Sequence, residues 1–89
     1  MIIEFDKSFD KALDKIRDKS LFPRVEKIIL NIEKSTSLSE VSNIKKVSGF
    51  QDYFRIRIGD YRLGFEKIGV NTVRFIIIAH RKDIYKLFP

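Results

Sequence analysis

Residues 53–62 read Tyr-Phe-Arg-Ile-Arg-Ile-Gly-Asp-Tyr-Arg, and this stretch decides how the second half of the chain folds. Apolar and cationic side chains alternate from Phe54 to Ile58, which is the two-residue period of a half-buried strand. Gly59-Asp60 follows as a two-residue turn, in which the glycine is free to adopt a positive φ. The sequence therefore predicts a β-hairpin that turns at Gly59-Asp60.

The turn fixes which residues of the two strands lie opposite each other. The predicted pairs are Ile58 with Tyr61, Arg57 with Arg62, Ile56 with Leu63 and Arg55 with Gly64. One face of the hairpin is then apolar and consists of Phe54, Ile56, Ile58, Tyr61, Leu63 and Phe65. The other face carries Arg55, Arg57 and Arg62. Because like charges directly opposite each other destabilise a sheet, folding alone does not explain this face, and it indicates a polyanionic partner.

The positive charge of the chain is concentrated in the same half. The 89 residues include 18 Lys and Arg against 12 Asp and Glu, for a net charge of +6. Residues 1–43 hold eight basic and eight acidic side chains, so residues 44–89, with ten basic and four acidic, supply the whole excess. This asymmetry indicates nucleic acid, an anionic membrane or an acidic protein as the partner.

Composition narrows the class of protein. We expect one domain over residues 1–89, because 44% of the residues are hydrophobic and eight are Phe. The chain has no Cys, which suits the reducing cytoplasm. The longest apolar run, Phe75 to Ala79, is far too short to cross a membrane. One His and no acidic cluster in the basic half also argue against a zinc or magnesium site, so we expect no metal and no cofactor.

The remaining patterns predict an α+β fold. A first strand ends at Asp6, a suitable helix N-cap, and two helices with apolar stripes follow as a hairpin. Four strands come next, and the chain ends in a short helical turn. The predicted ranges are 1–5, 44–47, 54–58, 61–68 and 72–79 for the strands, 38–41 for a single helical turn and about 82 onward for the last turn. We expect an antiparallel sheet packed on the two helices.

Three motifs carry a resemblance to a known family. The strand Arg-x-Arg, the segment Gly-Asp-Tyr-Arg-Leu and the segment Ala-His-Arg-Lys-Asp-Ile-Tyr of residues 79–85 resemble the RelE toxins of bacterial and archaeal toxin–antitoxin systems. The resemblance extends over the whole chain as a pattern of elements. It implies a twisted antiparallel sheet on two helices, a toxin that enters the ribosomal A site and cleaves mRNA there, and neutralisation by a cognate antitoxin, which we expect to be acidic.

The resemblance also implies roles for individual residues. Arg62 and Arg81 occupy the two phosphate-binding arginine positions of the family, and Tyr85 occupies the place of its C-terminal tyrosine, which acts in catalysis or stacks on a base. Arginine forks suit this work because they bind phosphate oxygens and keep their charge. Lys46 and Lys82 are further candidates for contacts with RNA.

Arg55 and Arg57 depart from the family pattern, because the best-known member has lysines at these positions and one of them is its proposed general base. Arginine keeps its proton at neutral pH and is a poor base. Histidine is the residue type best suited to exchange a proton under physiological conditions, and His80, the only histidine, is a candidate for proton transfer beside Arg81. The expected reaction uses the 2′-hydroxyl of the RNA as nucleophile and gives a 2′,3′-cyclic phosphate or its hydrolysed form.

Two other interpretations remain open at this point. A toxin similar to ParE would share the fold but inhibit DNA gyrase without nuclease chemistry, although the arginine face and Tyr85 argue against it. A degenerate member would bind its antitoxin and lack catalysis, which the replaced lysines allow.

Overall fold

The structure, a computed structural model that describes all 89 residues, is built on one five-stranded sheet. The strands are β1 (Ile2–Phe5), β2 (Ile44–Lys46), β3 (Tyr53–Ile58), β4 (Tyr61–Lys67) and β5 (Thr72–His80). The helices are α1 (Lys7–Asp14), α2 (Leu21–Lys34) and the short α3 (Ile84–Leu87), with one 3₁₀ turn at Leu38–Glu40. This confirms the predicted α+β class and the order of its elements.

The sheet differs from the prediction at one edge. Its strand order is β1-β5-β4-β3-β2, and β1 runs parallel to β5 while every other pair is antiparallel. A parallel pair needs a long crossover, and the whole chain between β1 and β5 supplies it. The predicted antiparallel sheet is therefore a mixed sheet with one short parallel strand.

The hairpin formed by β3 and β4 has the predicted register. Ile58 lies opposite Tyr61, Arg57 opposite Arg62 and Arg55 opposite Gly64. Gly59 adopts the left-handed conformation at φ 58°, which the two-residue turn needs. The apolar face of the hairpin packs on α1 and α2 as expected, with Ile56, Ile58, Leu63 and Phe65 fully buried and Phe54 and Tyr61 partly buried.

Strand β5 contains an irregularity that the sequence did not indicate. The pairing with β4 shifts between Gly64, which faces Ile77, and Phe65, which faces Phe75. Ile76 is thus an extra residue, a β-bulge, and it resets the alternation of the strand. The bulge, together with the apolar clusters on both faces of the sheet, explains why the run from Phe75 to Ala79 shows no period of two.

Apolar side chains pack on both faces of the sheet. The larger cluster lies between the sheet and α1 and α2, and its buried members are Met1, Phe9, Leu21, Val25, Ile32, Ile56, Ile58, Leu63, Phe65, Val73, Phe75 and Ile78. On the opposite face, Ile84 and Phe88 pack with Val47, against Tyr53, Ile77 and Ala79. The second cluster fixes α3 to the face that carries the arginines.

The start of α1 is fixed by Asp6, the predicted N-cap. Its carboxylate accepts hydrogen bonds from the Ser8 backbone N–H (3.1 Å) and from the Ser8 hydroxyl. These bonds lower the pKa of the Asp6 carboxyl below its ordinary value of 3.8, the side-chain bond having the larger effect. The Ser8 hydroxyl also lies within hydrogen-bonding distance of the Ile76 carbonyl. The cap therefore joins the start of α1 to the bulge of β5.

None of the helices is both long enough and apolar enough to span a membrane.

Candidate nucleic-acid interface

The arginine face of β3 and β4 forms a cavity of about 320 Å³. Its lining consists of Asn43, Lys45, Arg55, Arg57, Arg62 and Tyr85, and we call it the basic cavity. Four of these six side chains are cationic and none is acidic. The structure thus brings together the three arginines that the hairpin register placed on one face, and adds a tyrosine and two residues from the β2 region.

Asn43 and Lys45 come from the segment that leads into and forms β2. Asn43 has a positive φ of 63°, a conformation that asparagine adopts more readily than most residues. Its carbonyl accepts a hydrogen bond from the Arg57 backbone N–H at 3.1 Å. Lys45 lies directly opposite Arg55 in the antiparallel pairing of β2 and β3. Its side chain therefore shares the arginine face.

The Arg62 guanidinium is held by the turn of the hairpin. Its NH1 group donates to the carbonyl oxygens of Gly59 and Tyr61, both at 2.8 Å. No carboxylate of the protein pairs with Arg62. The remaining N–H groups of the fork are free to bind an anionic ligand, in a geometry that suits a phosphate.

Tyr85 closes the other side of the basic cavity from α3. The Arg55 guanidinium carbon lies 4.6 Å from the centroid of the Tyr85 ring, a cation–π contact. Tyr85 is 73% exposed as a residue, so its ring remains open to stacking. Its helix is anchored by Phe88, whose ring lies so close over Gly64 that a Cβ there would approach it to 2.7 Å. Gly64 thus lets α3 dock and sets the position of Tyr85.

Arg81 lies at the same end of the sheet as the hairpin turn but outside the lining of the basic cavity. Its backbone N–H donates to the Asp60 carbonyl at 2.8 Å, and its Nε lies 3.9 Å from the Asp60 carboxylate. Both side chains are largely exposed, so this pair is weak. The resemblance predicts that Arg81 binds phosphate, and the structure shows it at the edge of the site and not at its centre.

His80 lies on the opposite face of the sheet from the arginines. It pairs with Tyr61 on the helical side, with ring centroids 5.7 Å apart, and its Nδ1 accepts a hydrogen bond from the Lys82 backbone N–H at 3.2 Å. The bulge at Ile76 and the alternation beyond it direct residues 78 and 80 toward the helices. His80 therefore does not line the basic cavity.

The two lysines that the sequence offered as candidates for RNA contacts also lie outside the lining of the basic cavity. Lys46 lies opposite Phe54, so alternation directs it to the face away from the arginines, and Lys82 is exposed in the turn after β5 without lining the cavity. Lys45 was missed as a site residue. The pairing of β2 with β3 would have identified it, but three residues give too little pattern to fix a register.

No group of three or more His, Cys, Asp and Glu side chains is arranged to hold a metal ion. The chemistry of the basic cavity is that of fixed positive charge with one aromatic ring, a combination that binds the backbone and a base of single-stranded nucleic acid.

Comparison with known proteins identifies the relatives of this fold. The family model described as the ParE toxin of type II toxin–antitoxin systems (parDE) matches residues 3–85. Toxin RelE3 of Methanocaldococcus jannaschii is 43% identical over 67 residues, which cover 74% of this chain and 75% of that protein.

Solved structures agree with this relationship. In the crystal structure of the RelB–RelE antitoxin–toxin complex from Methanococcus jannaschii, the matched chain is 38% identical, with a TM-score of 0.82 over 97% of this chain and 99% of that one. The intact RelBE toxin–antitoxin complex of E. coli contains a chain that is 21% identical, with a TM-score of 0.68 over 89% and 94%, and there the likeness shows the fold alone.

Proposed function

The chain belongs to the RelE/ParE superfamily as a RelE-like toxin of a type II toxin–antitoxin system, and we propose that it is a ribosome-dependent endoribonuclease that cleaves mRNA in the A site. The observation that carries this proposal is the basic cavity, in which three arginines, a lysine and an exposed tyrosine converge without a carboxylate. Inhibition of gyrase does not require this combination of cationic and aromatic side chains, whereas cleavage of RNA requires groups that bind its phosphates.

Arginine forks would stabilise the charge that develops on the scissile phosphate. In the reaction, the 2′-oxygen attacks phosphorus, the bond from phosphorus to the 5′-oxygen breaks, and a 2′,3′-cyclic phosphate forms. Negative charge accumulates on the non-bridging oxygens as the bonds change. Arg62 is assigned to these oxygens because its fork is oriented by two backbone carbonyls. Arg55 and Arg57 hold the neighbouring backbone, and Arg81 completes the contact at the edge of the site.

The reaction also moves two protons. One leaves the 2′-hydroxyl, and one reaches the departing 5′-oxygen. Among the side chains of the basic cavity, Lys45 and Tyr85 are the candidates for proton transfer, because an asparagine amide does not ionise and guanidinium groups keep their protons. We assign the two transfers to this pair, with Lys45 as the candidate base. Tyr85, stacked on Arg55, is the candidate acid and stacking surface.

Positioning by the ribosome supplies much of the rate in this proposal. The basic cavity is open and its cationic side chains bind RNA without reading its bases, so by itself it does not align the 2′-oxygen with the leaving group. Alignment of reacting groups is worth about 7–11 kcal/mol in favourable cases. Free RNA should therefore be cleaved very slowly, and codons in the A site readily.

Mapping of RNA ends after induced expression tests the proposal. We expect new breaks within translated codons for the wild-type toxin and for Arg74→Ala, a matched control whose side chain pairs with Glu4 outside the cavity. The breaks should be absent for Arg62→Ala. DNA damage without RNA breaks would instead indicate a gyrase poison, and toxicity-free expression with neither would indicate a module that only binds its antitoxin.

The partner is a cognate antitoxin. We propose that it is the small, net-acidic product of the gene next to this one, and that an amphipathic helix of it covers the arginine face. Co-expression and affinity capture at several salt concentrations test this. An isolated gene whose product is tolerated alone would contradict it.

A further inference from the structure

A groove of about 790 Å³ lies beside the last residues of β5. Its floor is the edge of β5 from Ile77 to His80. One wall is α1 and its C-cap, which contribute Ser8, Lys11, Ala12 and Lys15, and the other wall is α3, which contributes Lys86 and Leu87. The two walls lie on opposite faces of the sheet, so the groove follows the strand edge itself.

The strand edge in this groove is unpaired. Strand β1 covers β5 only as far as Phe75, since its pairing runs from Ile2 with Thr72 to Phe5 with Phe75. The Asp6 backbone N–H then donates to the Phe75 carbonyl, and the Ser8 hydroxyl approaches the carbonyl of Ile76. Beyond that point, the backbone of residues 77–79 makes no hydrogen bond on this side. An open strand edge is a template for another strand.

The side chains around this edge define the chemistry of its ligand. Aliphatic groups line the floor and lower walls, namely Ala12, Ile16, Ile77, Ala79 and Leu87, and Leu87 is 56% exposed. Four cations surround them (Lys11, Lys15, Arg17 and Lys86) against a single carboxylate, Asp83. No salt bridge engages any of these cations.

We propose that an extended acidic segment of the antitoxin adds to the free edge of β5 as a further strand. Its backbone would pair with residues 77–79, its apolar side chains would enter the groove, and its carboxylates would reach the cationic rim. Strand addition obtains affinity from main-chain hydrogen bonds and specificity from alternate side chains. The inference rests on the proposed function, since the antitoxin is the partner invoked. A polypeptide is favoured over RNA because RNA cannot complete a sheet edge and would lay phosphates against an aliphatic floor.

Two measurements on the purified complex of this toxin with the acidic product of the neighbouring gene test the inference. The first is hydrogen exchange of β5 in the free toxin and in the complex. Exchange at residues 77–80 should slow by about tenfold or more on binding, whereas residues 72–75, already paired with β1, serve as the internal reference. The second is the affinity of the charge-reversal variant K11E/K15E, which should fall by about tenfold. The control K27E/K34E carries the same change of charge on exposed positions of α2, away from the groove, and should bind as the wild type does.

Unchanged exchange at residues 77–80, or equal affinities of the two double variants, would overturn the strand addition. Loss of RNA or ribosome binding by K11E/K15E with full antitoxin affinity would assign the groove to nucleic acid instead. If the wild-type toxin fails to bind the neighbouring product at all, the antitoxin assignment itself is wrong, and this outcome is distinct from the failure of one binding mode.

Discussion

The basic cavity and the groove beside β5 are both positively charged, yet they are built for different ligands. The basic cavity has a floor of guanidinium groups on two strands that are fully paired, and its only large ring is the exposed Tyr85. The groove has an aliphatic floor, an open strand edge and cations only at its rim. Charge alone therefore does not identify a partner. The partner is indicated by the geometry of the charged groups and by what surrounds them, because guanidinium forks select phosphates whereas an unpaired backbone edge selects a polypeptide.

Replacement of Arg62 should separate the two regions most strongly. We expect Arg62→Ala to lower A-site cleavage by about 100-fold or more, the scale of a lost transition-state donor. Its free energy of unfolding should change by only about 0.5 kcal/mol, since Arg62 lies on the solvent side of the sheet. Single-turnover cleavage and denaturant unfolding on the same sample measure both quantities.

The Arg62→Ala substitution should not affect the groove beside β5. Hydrogen exchange of residues 77–80 in the complex should be the same for Arg62→Ala as for the wild type. A variant that loses activity only in proportion to its unfolding would contradict the role of Arg62.

Substitution of Lys45 should have the next largest effect on the cleavage rate. It also tests which residue of the basic cavity transfers a proton. Lys45→Arg keeps the charge but removes the proton-exchanging amine, so RNA binding should persist while the cleavage rate falls by about 100-fold, within the range of general base catalysis. RNA binding and the single-turnover cleavage rate, each followed over the same pH range for the wild type and the variant, separate the two effects.

Two control variants accompany the Lys45→Arg experiment. Lys46→Arg changes the neighbouring residue on the other face, and His80→Gln removes the only histidine, which also lies on that face. Both should retain the wild-type pH profile. A profile that flattens in His80→Gln would return proton transfer to the histidine and exclude Lys45 as the base.

The sequence predicted the arginine face well because the pattern there is local. Alternation over Phe54 to Ile58 and one two-residue turn were enough to place Arg55, Arg57 and Arg62 together, and the structure confirms each pair. Tyr85 was assigned to the same site only through the family resemblance. Its position depends on the packing of Phe88 on Gly64, and sequence spacing does not indicate that contact.

The groove was not predicted because two non-local features create it. One is the bulge at Ile76, which also sends His80 to the helical face. The other is the length of β1, which ends at Phe5 and leaves the rest of β5 without a neighbour. Neither the bulge nor the parallel register leaves a mark in a run of five apolar residues, so the sequence alone does not indicate that part of β5 has a free edge.

Gly64→Ala should affect both regions, because α3 borders the basic cavity and the groove. We expect its effect on cleavage to be intermediate. The added methyl would meet the Phe88 ring at 2.7 Å, so α3 must shift and carry Tyr85 away from Arg55. We expect cleavage to fall by about tenfold and stability by about 1–3 kcal/mol, the usual cost of overpacking. Gly69→Ala is the matched control, because no atom lies within 4 Å of a Cβ at that position. Equal activity of the two variants would show that the placement of α3 does not matter for cleavage.

The smallest expected effect concerns pH and the wall of the groove. The folded-state pKa of Asp6 is lowered by its hydrogen bonds from Ser8. Its contribution to stability is therefore fully present above the ordinary value of 3.8 and is lost as the pH falls through the lowered pKa. Protonation weakens the cap of α1 and its tie to the bulge at Ile76, so protection from exchange, relative to the intrinsic rate at each pH, should fall in α1 and at residues 77–80 below about pH 4, whereas the β3–β4 hairpin should keep its protection. Asp6→Asn retains a capping side chain without the titrating carboxyl and should remove this acid step. If the hairpin and α1 lose protection together in both proteins, the groove wall is not a separately destabilised region, and the cap acts on the fold as a whole.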